Sequence, residues 1–183
     1  MILPIYTYGN AVLRKVAEPI KADYPHLKSL ISNMFETMYH AEGVGLAAPQ
    51  IGQAIRLLVI DLAPFKDDDP ELGEFKTVMI NPQILERSEE EVVGEEGCLS
   101  IPGIHETVSR ALKIKIKYQD ENFVEQVEEF ESYKARVIQH EYDHLEGNLF
   151  NDNVTPIRRQ LLKLKLTNIV KGKTSTSYKV KSA

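Results

Sequence analysis

The stretch Gln139-His140-Glu141-Tyr142-Asp143-His144-Leu145-Glu146-Gly147 decides how the chain is read. It lies at the end of a segment, Ser132 to Leu145, whose pattern predicts a helix closed by Gly147. Residues four apart on a helix share one face, so His140 and His144 point the same way and can grip one metal ion. Glu141 sits beside them, where a carboxylate can handle the proton of an attacking water. Two histidines do not complete a catalytic metal site, which takes three protein ligands and keeps one position open. No His follows His144, no acidic residue follows Asp152, and Glu146 is too close on the helix to reach the same ion. Asp152 is the one downstream candidate. Upstream stand Cys98, His105, His40 and His26, and an upstream ligand is favoured. Cys98 is the best of these. A thiolate is a strong ligand for borderline metals, and the neighbouring Gly97 lets the backbone bend or approach closely.

Around this motif the chain has ordinary globular composition. It has 183 residues, 43% hydrophobic and 27% charged, which is one domain's worth of chain and excludes collagen, coiled coil and wholesale disorder. Cys98 is the single cysteine, so no intramolecular disulfide forms and a reducing compartment is expected. No run of 18 apolar residues is present, so no membrane helix is expected. The start, Met-Ile-Leu-Pro-Ile-Tyr, lacks a basic region before an apolar stretch and does not read as a signal peptide.

The remaining segments, strands clustered between an N-terminal and a C-terminal helix, predict an α+β fold with a mostly antiparallel sheet. Leu27, Leu30, Ile31, Met34, Phe35 and Met38 recur at helical spacing, and Gly43 and Gly45 end that helix. Residues 44–51 read as extended, and Ile55 to Asp61 as a short apolar strand. Residues 62–76 read as a polar, acidic loop. Val78 to Leu85 reads as a strand interrupted by Asn81-Pro82, hence edge or bulged. Leu112, Ile114, Ile116 and Tyr118 alternate with three lysines, a strand with one buried and one wet face, and Phe123 to Phe130 is its hairpin partner. Pro156 opens a last helix whose leucines are too evenly spread to define one face. The expected organisation is one catalytic domain over 1–170 and a flexible basic tail over 171–183.

Three separated blocks now resemble a known family, peptide deformylase. They are Gly43-Val44-Gly45-Leu46-Ala47-Ala48-Pro49-Gln50, Glu96-Gly97-Cys98-Leu99-Ser100, and the His140 block quoted above, in the family's order. The resemblance implies an α+β fold with mostly antiparallel sheets packed around the central metal-binding helix, and that Cys98, His140 and His144 hold one divalent metal ion. Ferrous iron is the expected ion in the cell, with zinc, nickel or cobalt able to occupy the same site. It implies that Glu141 is the general acid/base and that Gln50 and the backbone N–H of Leu99 stabilise the oxyanion. Gly43, Val44, Gly45, Glu96 and Gly97 would contact substrate, the first three by pairing their backbone with an extended peptide. The implied substrate is the N-formylmethionyl end of a newly made protein, and the implied compartment is a bacterial-type cytosol. The resemblance assigns no role to His105, Arg136 or the acidic loop.

A metallopeptidase of the same His-Glu-x-x-His type is the alternative, with Asp152 as third ligand and Cys98 dispensable. A binding module with a closed structural metal is a more distant one. Charge adds a last expectation. The final 31 residues carry +8 and the first 152 carry −13. Such an end-loaded basic segment can meet an acidic partner, here the RNA of the ribosome, while neither a membrane nor DNA is expected as a partner.

Overall fold

The computed structural model describes residues 1–183. A five-stranded antiparallel sheet runs through the middle of the molecule. Its strands are β2 (Gly45–Ala47), β3 (Leu57–Asp61), β4 (Lys76–Arg87), β7 (Lys113–Gln119) and β8 (Glu125–Glu131), in the order β2-β3-β4-β7-β8. Strand β1 (Ile5–Tyr6), helix α1 (Leu27–His40) and the single-turn helix α2 (Pro70–Gly73) precede or interrupt that series. Between β4 and β7 the chain forms a long hairpin, β5 (Glu91–Cys98) with β6 (Ile101–Ala111). Helices α3 (Ser132–Leu145) and α4 (Pro156–Val170) follow, and the chain ends in β9 (Val180–Lys181).

Strand β3 shows why the sheet sits between two helices. Leu57, Leu58, Val59 and Ile60 are all fully buried. Successive strand residues face opposite sides. Leu57 and Val59 pack with Leu30, Ile31, Met34 and Met38 of α1. Leu58 and Ile60 pack with Ala135 and Ile138 of α3 and with Ile114 and Ile116 of β7. Each fully buried aliphatic side chain contributes roughly 1.5–3 kcal/mol. Helix α3 is covered on its other side by the β5–β6 hairpin, so its middle, from Ala135 to Glu141, is buried without a break.

Helix α4 has a clean inner face after all. Leu162, Leu166 and Ile169 are buried at spacings of four and three, against Ile101, Ile104 and Val108 of β6. Leu161 and Leu164 point to solvent, which is what blurred the periodicity. Thr155 caps its start, with its side chain accepting from the Arg158 N–H at 3.3 Å.

Three segments differ from the sequence reading, and a fourth, β4, takes one of the two forms it allowed. Residues 44–51 are extended only to Ala47, after which Pro49 starts a 3-10 turn over Ala48–Ile51. Strand β4 is bulged at Asn81-Pro82 but is interior to the sheet, between β3 and β7. Asn81 takes φ of 52° there, and its side-chain amide exchanges two hydrogen bonds with the Ile20 backbone, at 2.8 and 2.7 Å. The acidic loop holds α2, capped by Asp69. The C-terminal tail returns to the body. Val180 and Lys181 pair in parallel with Ile5 and Tyr6, the one parallel pairing between named strands. Its backbone groups find partners that a free tail would leave to water. Ile5 N–H donates to Lys179 O at 2.9 Å, and Thr7 N–H to Lys181 O at 3.1 Å.

Candidate metal centre and active site

Cys98 is the last residue of β5, at the tip of the hairpin, and His140 and His144 occupy one face of α3. One ligand atom from each of the three falls within 4.8 Å of the others, and Cys98 Sγ lies 3.3 Å from His144 Nε2. Bonds of about 2.0–2.3 Å from one ion to imidazole nitrogen and thiolate sulfur place such atoms about 3–4 Å apart, so the donors fit a first-row divalent ion. The upstream ligand favoured by the sequence is the one brought to the histidines. His26, His40 and His105 are not part of the cluster. Asp152 is engaged elsewhere, accepting from Arg14 Nη1 at 2.6 Å and from the Leu149 N–H at 2.9 Å.

A buried charge network stands behind His140. Its Nδ1 lies 2.8 Å from Glu96 Oε1. Glu96 also accepts from Arg110 Nε and Nη2, each at 2.8 Å, and from Arg136 Nη1 at 2.7 Å. Arg110 reaches on to Asp143 at 2.6 Å. Burial works against the Glu96 carboxylate, but the hydrogen bonds from Arg110 and His140 and their charges outweigh it, so it stays ionised, well below the usual carboxylate range. An ionised carboxylate can only accept, so Nδ1 of His140 carries the hydrogen and Nε2 is directed to the metal position. Burial holds His144 well below the ordinary imidazole value, and so neutral and ready to ligate.

Glu141 is buried against the backbone of β2. A Cβ on Gly45 would fall 2.4 Å from Glu141 Oε1, so only glycine leaves room for the carboxylate. Its Oε2 has no protein hydrogen-bond partner. Burial, partly opposed by the charge of His140, pushes the carboxyl up to about 7, the range in which a group can both take and return a proton near neutrality. Gln50, in the 3-10 turn after β2, is held at its oxygen by the Ala47 N–H at 2.9 Å. Its amide nitrogen therefore faces the cluster, 3.2 Å from Ser100 Oγ and 3.5 Å from Cys98 Sγ. These groups line a cavity of about 470 Å³, whose walls include Gly43, Val44, Gly45, Gly97 and Leu99. Strand β2 is an edge strand of the main sheet, so its free side is open to another strand.

The residues left without a role in the sequence are now located. Arg136 is buried on Glu96 and also donates to Val108 O at 3.0 Å. The His105 ring lies over Gly97, its register partner, at the cavity wall. Glu96 lines the cavity as a substrate-contacting residue would, but both its oxygens are taken by Arg110, Arg136 and His140. Arg110 and Asp143 went unremarked in the sequence. Their one local signal is that Asp143 sits inside the metal motif.

An α+β body that presents one thiolate, two imidazoles and a buried carboxylate in a single cleft is that of a metal-dependent hydrolase. Comparison with known proteins narrows the class. The family model described as polypeptide deformylase matches residues 2–160. The chain is 51% identical to a peptide deformylase of Christiangramia forsetii, over 99% of this chain and 96% of that one. It is 50% identical to one of Flavobacterium johnsoniae, over 100% and 97%. Among solved structures, the Thermotoga maritima peptide deformylase superposes with a TM-score of 0.77 at 44% identity, covering 85% of this chain and 99% of that one. That of Legionella pneumophila gives 0.82 at 39%, covering 94% and 98%. The chain belongs to the polypeptide deformylase family, and it is a hydrolase acting on the N-terminal formylmethionine of newly made proteins. Nothing in these relationships supports the metallopeptidase alternative.

Proposed function

We propose that Cys98, His140 and His144 hold one divalent ion, ferrous iron in the cell, and that Glu141, Gln50 and the Leu99 N–H carry out deformylation around it. The observation that carries this reading is the meeting of the three donor atoms within 4.8 Å beside the buried Glu141 carboxylate. Bound there, the ion supplies Lewis-acid polarisation of the formyl oxygen and eases ionisation of the attacking water. Glu141 takes the proton of that water as it adds to the formyl carbon. As the C–N bond breaks, Glu141 returns the proton to the leaving amine, and formate and a free α-amino group are released. Charge grows on the formyl oxygen, and Gln50 Nε2 and the Leu99 N–H donate to it. The peptide that follows lies as an added strand along the segment Gly43–Val44 that leads into the open edge of β2 at Gly45, with Gly97 on the facing wall.

A thiolate with two imidazoles suits iron, zinc, nickel and cobalt alike, so availability in the cell chooses the ion. Metal analysis after anaerobic purification tests iron. The compartment is read as the cytosol, where formylated chains emerge. Ribosome contact is read from the exposed basic residues of α4, among them Lys163 and Lys165, and is tested by salt-dependent co-sedimentation.

The activity itself is tested by formate release. A formyl-Met dipeptide should yield formate and free Met-peptide, while an unformylated peptide stays intact. Cleavage of an internal peptide bond without formate release would overturn the reading.

A further inference from the structure

The segment after α4 does not simply hang from the body. Gly172, with φ of 65°, turns the chain back. The far end is pinned by the β1–β9 pairing, by Asn10 Nδ2 donating to Lys181 O at 2.8 Å, and by Ala183 packed against Gly9. Between the two anchors, Ser175, Thr176, Ser177 and Tyr178 line the same cavity as Cys98, His140 and Glu141. Tyr178 Oη donates to Leu99 O at 2.8 Å, and Thr176 Oγ1 donates to Tyr178 O at 2.7 Å. Tyr178 therefore grips the hairpin turn that carries Cys98 and Leu99. The family match ends at residue 160, and 85% of this chain covers 99% of the Thermotoga maritima structure. The relatives at about 50% identity are matched by 99–100% of it. This wall thus lies beyond the residues that the family model matches.

We infer that residues 175–178 form a specificity-determining strap that contacts the peptide following formylmethionine, with Tyr178 as a positioning residue for the Leu99 turn. The inference rests on the deformylase reading of the cavity and names a substrate contact that the reading does not contain. The strap offers the hydroxyls of Ser175 and Ser177 and free backbone groups, the chemistry that hydrogen-bonds an extended peptide main chain without choosing among side chains. A formylated dipeptide is too short to use most of these groups, whereas a tetrapeptide extends along the wall.

The test compares the full chain with a variant ending at Lys171 and with Tyr178→Phe, on a formyl-Met dipeptide and a formyl-Met tetrapeptide. In the full chain kcat/KM is expected to favour the tetrapeptide. The truncation should reduce that preference about tenfold through KM, the scale of one or two lost hydrogen bonds. Tyr178→Phe keeps the ring and should reduce it less. An unchanged preference in both variants would overturn the strap. A second readout needs no turnover. A tetrapeptide with a photoreactive group on its last residue should label residues 173–178 of the full chain, read by mass spectrometry. Labelling confined to other segments would also overturn it. Absence of formate release by the full chain counts against the deformylase reading instead, and the cross-link still locates the peptide.

Discussion

The two walls of the cavity are built in different ways. The inner wall is α3 with the β5–β6 hairpin, where Glu96, Arg110, Arg136, His140 and Glu141 are all buried and all but Glu141 are fastened together by charged hydrogen bonds. The outer wall is the C-terminal strap, half-exposed, neutral and held by backbone pairing and one tyrosine hydroxyl. Groups that must hold a metal and move a proton need fixed positions, and a satisfied buried network supplies them. A wall that only meets the substrate can be added at the end of the chain without disturbing that network. The contrast implies that damage to the inner wall removes chemistry and fold together, while damage to the outer wall changes selectivity.

Substituting the thiolate should have the largest effect. Cys98→Ser is expected to lose bound metal and formate release together, because a hydroxyl is a poorer ligand than a thiolate for these ions. Metal content of the purified variant checks this, and full occupancy with full activity would remove Cys98 from the centre. Next comes Glu96→Gln, which leaves Arg136 buried without its counter-charge and Arg110 with Asp143 alone. Breaking such a pair costs about 3–5 kcal/mol in chemical denaturation, and loss of the His140 orienter weakens metal affinity by about 10–100-fold. A variant as stable as the parent would mean that the network is not what holds the inner wall. Leu162→Ala, on the inner face of α4, should cost about 2–5 kcal/mol by opening a cavity against β6. Leu164→Ala, on the outer face of the same helix, should stay within about 0.5 kcal/mol. Equal costs at these two leucines would contradict the face assigned to α4.

Much of the inner wall was legible because its signals are local. The His140–His144 spacing, the boundaries of α3 and the alternation of β7 are each written within a single element. The ligand from β5 was reached through what the downstream sequence lacks. The β5–β6 hairpin went unread because β5 carries three glutamates and two glycines in eight residues, a poor strand composition stabilised here by long-range pairing. The charge network was equally hidden, since Glu96 meets Arg110 at a separation of 14 residues and Arg136 at 40. The strap left least trace. Lys-Thr-Ser-Thr-Ser reads as solvated chain, and the pairing that docks it joins two residues of β1 to two of β9 across most of the sequence.

The central claim is that Glu141 carries the proton for an ion held by the inner wall. Glu141→Gln keeps the shape of the side chain and removes its ability to accept a proton, so metal content and formate release measured on the same sample separate the two roles. Metal content should equal that of the parent and kcat should be lower by about 10²–10⁴-fold. A metal-replete variant with kcat within about threefold of the parent, a barrier change of less than about 1 kcal/mol, would place the proton transfer on another group.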